Sequence, residues 1–290
     1  MTNGPGERQS SGLERAWRLL KLAAVDFFGD DMPTYAAALA FRLLLSVFPF
    51  VIFLTTLLGF LESPQFFEWM RNQAAYLLPP QAMVQVDDVL AELQTPQGGL
   101  MSFGIALAIG SASSGVLGTM KALNVAFDVR ESRPMWKRFA MAIVYTLTLA
   151  LLLIIVAALM VSGSAFITWL ALQVGLGSLL INVWIWIRWP IAIGLLMLVI
   201  SFIYYAAPNL RQPFRLITPG AVMAVTLWVA ASLSFGFYVQ NFASYSKTYG
   251  SMGAIVVLLI YFFLSAAVLL FGAELNAVIN RGSGKRGEKE

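Results

Sequence analysis

The sequence predicts an all-α polytopic membrane protein, and three observations carry that prediction. The chain of 290 residues is 59% hydrophobic and only 12% charged, with a mean hydropathy of +0.77, outside the range of soluble globular proteins. Several apolar runs exceed the roughly 20 residues that a helix needs to cross a hydrocarbon core, and too few polar residues remain to coat a soluble core that could hide them. When those runs are counted as six spans, 15 of the 19 Lys and Arg fall on one side: the N-terminal stretch, the loops after spans two and four, and the tail. That asymmetry predicts both termini in the cytoplasm. It also accounts for the pI near 9.4 without nucleic acid as a partner. Cys and His are absent, which removes thiolate and imidazole chemistry, disulfides, and the usual zinc and haem ligands.

Residues 1–12 read as a disordered polar terminus, with no apolar h-region before Tyr35 and hence no cleavable signal peptide. Residues 13–280 then form a single six-helix transmembrane domain. It opens on residues 13–28, where Leu13, Trp17, Leu20, Ala24 and Phe27 recur at helical spacing while Arg15, Arg18 and Lys21 fall elsewhere on the wheel. That pattern fits an amphipathic helix lying on the cytoplasmic headgroups, or one packed against the bundle. Gly29, Asp30, Asp31 and Pro33 end it, with Asp30 or Asp31 available to cap the next helix.

The first span covers residues 35–61. Ala36, Ala37, Ala38 and Ala40 offer a small-residue face, and Pro49 is expected to kink the helix, with the Ser46 hydroxyl placed to satisfy a freed carbonyl. Residues 62–97 predict two short amphipathic helices over the outer mouth, separated by Pro79 and Pro80, with Asp87, Asp88 and Glu92 facing water or holding a cation. The second span, 98–120, is small and polar. Ser111, Ser113 and Ser114 lie among its glycines, as at the centre of a bundle or along a polar cavity. A basic connection from Lys121 to Arg138 follows.

The third span, 139–167, is almost wholly aliphatic and so lipid-facing. The fourth, 184–206, opens on an aromatic belt of Trp184, Trp186 and Trp189, with Arg188 snorkelling among them. The fifth covers 218–240 and the sixth 251–280. Residues 281–290 form a charged, Gly-rich tail read as disordered.

Glu274 is the one charge inside the last span. An ionisable group at that depth costs at least about 2.5 kcal/mol in lipid, so it is expected to face protein or water and to have a partner. Arg42 lies at similar depth, about 13 Å past Pro33, against about 10 Å from Glu274 to Arg281 at the helical rise per residue. The central expectation is therefore an ion pair between the first and last spans; the alternative is that each side chain snorkels to the inner surface by itself. With them, Ser46, Pro49, Ser113, Ser114, Asn124 and Asn276 are the candidate residues lining a pathway or locking the bundle.

Ala36-Ala37-Ala38-Leu39-Ala40-Phe41 with Ser46-Val47-Phe48-Pro49, Lys121-Ala122-Leu123-Asn124, Thr218-Pro219-Gly220-Ala221, Tyr249-Gly250-Ser251-Met252-Gly253 and Gly272-Ala273-Glu274-Leu275-Asn276 together resemble the YihY/BrkB family of bacterial inner-membrane proteins. The resemblance covers residues 15 to 280. Arg42 departs from the aromatic residue more common in that family. The resemblance implies a virulence or serum-resistance label and, for some members, the inherited name ribonuclease BN.

The residues argue against a nuclease or any other enzyme: no nucleophile–base pair is apparent, and Asp128 and Glu131 stand too far apart from other acids to suggest a site. With no Walker A loop, transport would not be driven by ATP on this chain, and no cofactor is implied. The functional expectation is a transporter or flippase of an envelope-related lipid or small amphiphile, with membrane lipids as partners. The alternative is a non-transporting envelope scaffold or assembly factor.

Overall fold

The computed structural model describes residues 12–60, 68, 71–72, 83, 87, 98–152, 155, 177–210, 213–242 and 246–282. Over these residues the chain is helical, with α1 at Gly12–Gly29, α2 at Met32–Phe60, α3 at Gly98–Ala126, α4 at Met135–Leu152, α5 at Gly177–Ala206, α6 at Pro219–Phe242 and α7 at Ser246–Gly282. Four of them, α4 to α7, contain segments long and apolar enough to cross a membrane. Of the expected disordered termini 1–12 and 281–290, residues 1–11 and 283–290 lie outside the described residues, as does most of the outer loop, whereas Gly12 opens α1 and Arg281 and Gly282 close α7. The chain divides into two compact units, Met1–Ala40 with Val116–Glu290, and Phe41–Gly115.

In the larger unit, α7 is the hub, packing on α6 and α1, while α5 packs on α6. Lipid gives little hydrophobic drive for helices to associate, so close packing and interhelical hydrogen bonds hold them. The α6–α7 crossing uses both. A Cβ on Gly220 would strike the Gly272 carbonyl and the Asn276 amide, and one on Gly272 would strike the Tyr204 hydroxyl and the Ala224 methyl, so only glycine permits this approach. Trp228 Nε1 donates to Ser265 Oγ at 3.1 Å, and the Ser232 and Tyr261 hydroxyls lie 3.1 Å apart. The Tyr204 hydroxyl of α5 donates to the Leu269 carbonyl of α7 at 2.6 Å.

The helix ends follow local chemistry. Asp31, at φ 55°, ends the turn after α1 and begins α2: its carbonyl accepts the Thr34 amide at 3.1 Å and its carboxylate the Thr34 hydroxyl at 2.8 Å. Pro33 follows, where a missing N–H costs nothing. The expected small-residue face of α2 divides, since Ala36 and Ala40 are buried with Leu39 while Ala37 and Ala38 are exposed. α3 runs past the expected end at 120 to Ala126. Lys121 does not stop it, because the side chain reaches out over the Tyr35 ring, 5.9 Å from its centroid. Its end is a Schellman turn, with Asp128 N bonded to Val125 O at 2.9 Å, Val129 N to Asn124 O at 2.8 Å, and Asp128 left-handed at φ 51°.

α4 begins four residues before the expected 139. α5 begins at Gly177, well before the expected 184, and continues through Pro190. Trp186 and Trp189 are exposed on it, with the Arg188 guanidinium 5.4 Å from the Trp189 ring.

In the smaller unit, Arg42 Nη1 donates to the Ser114 carbonyl at 2.7 Å and Ser113 is fully buried. Ser46 donates to the Leu43 carbonyl at 2.7 Å. This corrects the expected role of Ser46: the carbonyl that Pro49 deprives of its amide, four residues back, is that of Leu45. Asp87 holds Arg71 through both carboxylate oxygens, at 2.6 and 2.9 Å.

Candidate functional site

The site is built where α1 lies on the C-terminal end of α7. Ala23 packs with Leu275 and Val278, and the Phe27 ring meets Phe271 edge-on with centroids 5.8 Å apart. This is the packed alternative for the amphipathic helix. Its opposite side leaves Trp17, Leu22, Val25 and Phe28 exposed beside Arg15 and Lys21.

Beneath α1, Glu274 is fully buried, and among the described residues no N–H or hydroxyl donor reaches either of its oxygens. Two carboxyl groups, Asp26 and Asp30, lie near it from the α1 side, close enough to act on it electrostatically. The cation is Arg281, two turns further along α7. Its Nη2 lies 4.0 Å from Glu274 Oε2 but 2.6 Å from Asp26 Oδ2, so the guanidinium is engaged with Asp26. Asp30, which lies outside the spans, has its carboxyl pushed up by burial and then by the charge of Asp26; the charge of Arg281 opposes this. Among the described residues no three such groups gather closely enough to hold a metal ion.

The described contacts pair Arg42 with the Ser114 carbonyl and place Arg281 of its own helix beside Glu274. Arg42 and Glu274 belong to different units, and these contacts leave the expected pair between them untested. Equal depth in the bilayer fixes height along a helix and says nothing of which way the side chain faces.

Asn276 and Asn124 are joined to other elements. Asn276 Oδ1 accepts the Gly220 amide at 2.8 Å while its Nδ2 donates to Thr218 Oγ1 at 3.0 Å; Thr218 Oγ1 itself accepts the Ala221 amide at 3.1 Å. The first turn of α6 is thus capped both by its own threonine and by a side chain from α7. Asn124 Nδ2 donates to Glu131 Oε2 at 2.8 Å and its Oδ1 accepts the Asn209 amide at 2.7 Å.

Glu131, set aside in the sequence as isolated, is the centre of that second network. Arg133 donates to both of its oxygens, at 2.7 and 2.8 Å, and also to the Ala207 carbonyl at 3.2 Å. Burial pushes the Glu131 carboxyl up. The bonds and charge of Arg133, with the Asn124 amide, outweigh it and hold the group below its ordinary value of 4.5. Asp26, Asp30 and Arg281 were also missed. The usable signal was periodicity: Asp26 and Asp30 are four apart, and Glu274 and Arg281 seven apart, so each pair shares one helix face.

Apolar helices joined by small-residue crossings and interhelical hydrogen bonds, with one enclosed carboxyl at the end of the last of them, define a polytopic α-helical membrane protein. The chain belongs to the family described as Virulence factor BrkB, whose profile matches residues 23–290. Its relatives include a protein described as ribonuclease-like, YfkH of Bacillus subtilis (strain 168), 37% identical over 85% of this chain and 89% of that one. The UPF0761 membrane protein Bxeno_A3061 of Paraburkholderia xenovorans (strain LB400) is 26% identical over 92% of this chain and 61% of its own length. A UPF0761 membrane protein of Alteromonas mediterranea is 25% identical over 84% of this chain and 82% of that one. No solved structure matches.

Proposed function

We propose that this protein is a six-span bacterial inner-membrane transporter or flippase, with both termini in the cytoplasm, that moves an envelope-related lipid or small amphiphile without ATP of its own and without catalysing a reaction. The observation that carries the reading is Glu274. A bundle held only by packing has no use for a fully buried carboxyl that no donor satisfies, and ionisable groups inside spans mark substrate or ion pathways. The ribonuclease-like name of YfkH does not fit a sequence without His or Cys, whose acids here serve as ion-pair and helix-end partners.

The second reading, an envelope scaffold, has its own support. Asn124, Asn276 and Arg133 are all engaged in bonds that tie elements together. Reconstituted protein separates the two. Under the transport reading, liposomes containing the wild type move a labelled lipid across the bilayer, and Glu274→Gln, which keeps the shape of the side chain, reduces that rate at least tenfold with the fold intact. Equal rates in the two proteins and in empty liposomes would leave the scaffold.

A further inference from the structure

We propose that Glu274 and Asp30 form a proton-binding site, in which one proton taken from cytoplasmic water is shared between the two carboxyl groups. As the coupling ion of a transport cycle, this proton depends on the function proposed above; as a bound ligand, it does not.

The geometry leaves few alternatives. Two neighbouring ionised carboxylates have only acceptors to offer, and they can bond to each other only when one of them carries a proton. The groups facing the pair are Asp26 from α1, Asp128 from the turn after α3, and Arg281 from α7. Three of the four groups other than Glu274 are therefore acidic, and the single guanidinium is bonded to Asp26 at 2.6 Å rather than to Glu274 at 4.0 Å. Full ionisation would bury a carboxylate with neither a donor nor a close cation.

The acids alone would make only a charged patch. What makes them a site is that Glu274 is wholly enclosed and turned into the cluster without a partner, while Asp30 is only partly buried. A proton can thus arrive from solvent on Asp30 and pass to Glu274, with no other bond made or broken. The environment of Asp30 supports this, since burial and Asp26 push its carboxyl up. A group raised in this way stabilises the fold below its ordinary value of 3.8 and loses that contribution as pH rises through its folded value.

Infrared spectra of the purified full-length protein test the site through the C=O stretch of a protonated carboxyl. The wild type is expected to show such a band at neutral pH, losing it reversibly as the pH is raised. Glu274→Gln should lack the band, and Asp30→Asn, which removes the facing carboxylate, should lose it at a lower pH than the wild type does. Absence of the band at neutral pH, or a band unchanged in both variants, overturns the proposal. If the band behaves as expected while the liposomes move no lipid, the proton site stands and the transport reading falls; lipid movement without the band does the reverse.

Discussion

Replacing Gly272 by alanine is expected to lower the apparent Tm of the detergent-solubilised protein more than any other single-methyl change among the described helix glycines of α5 to α7, with Gly220→Ala its near equal. The added Cβ would meet the Tyr204 hydroxyl and the Ala224 methyl, and it would push against the Gly220 carbonyl where α6 crosses α7. Only the tyrosine can swing aside, and doing so breaks its 2.6 Å bond to the Leu269 carbonyl. Overpacking of this kind costs about 1–3 kcal/mol, more than the roughly 1 kcal/mol of helix propensity that alanine gains over glycine. Gly236→Ala on α6 is the control: nothing lies within 4 Å of its Cβ, and no loss is expected. Equal melting curves for the Gly272 and Gly236 variants would mean that α6 and α7 do not approach at their glycines.

The second large effect is expected at the loop after α3. Arg133→Ala leaves Glu131, whose side chain is only 19% exposed, without its main partner and frees the turn after α5. Removing one member of a buried ion pair costs about 3–5 kcal/mol, and the residual exposure of Glu131 brings the expected loss nearer to 2 kcal/mol. The pH dependence gives this network a signature. Because Glu131 is held below its ordinary 4.5, it stabilises the fold above that value, and the contribution is lost as pH falls through the lower, folded value. Thermal melts of the wild type should therefore weaken on acidification below about 4.5 by more than those of Glu131→Gln. Parallel curves would remove Glu131 from the centre of the network.

The helical class, the apolar face of α1 and the burial of Glu274 were legible because each depends on residues close in sequence or on composition. Helix ends were less so. Lys121 and the Gly/Leu-rich stretch before Trp184 read as interruptions, yet a backbone at membrane depth has to bond to itself, so α3 and α5 run on where side chains alone suggested loops. Asp26 and Arg281, the neighbours of Glu274, were missed for a different reason. Asp26 and Arg281 are 255 residues apart, and no local pattern says which helix face meets which. Counting residues gave Arg42 and Glu274 a common depth; only the packing of Ala23 and Phe27 on α7 decides that α1 supplies the neighbours.

Because the protein contains no cysteine, the enclosure of position 274 beneath α1 can be read directly in native membranes from a single introduced thiol. Glu274→Cys should resist a water-soluble maleimide under conditions that label Lys21→Cys, on the exposed side of α1, to completion. Labelling of the two variants at comparable rates would place the carboxyl in open water and contradict a sheltered acid at the C-terminal end of α7.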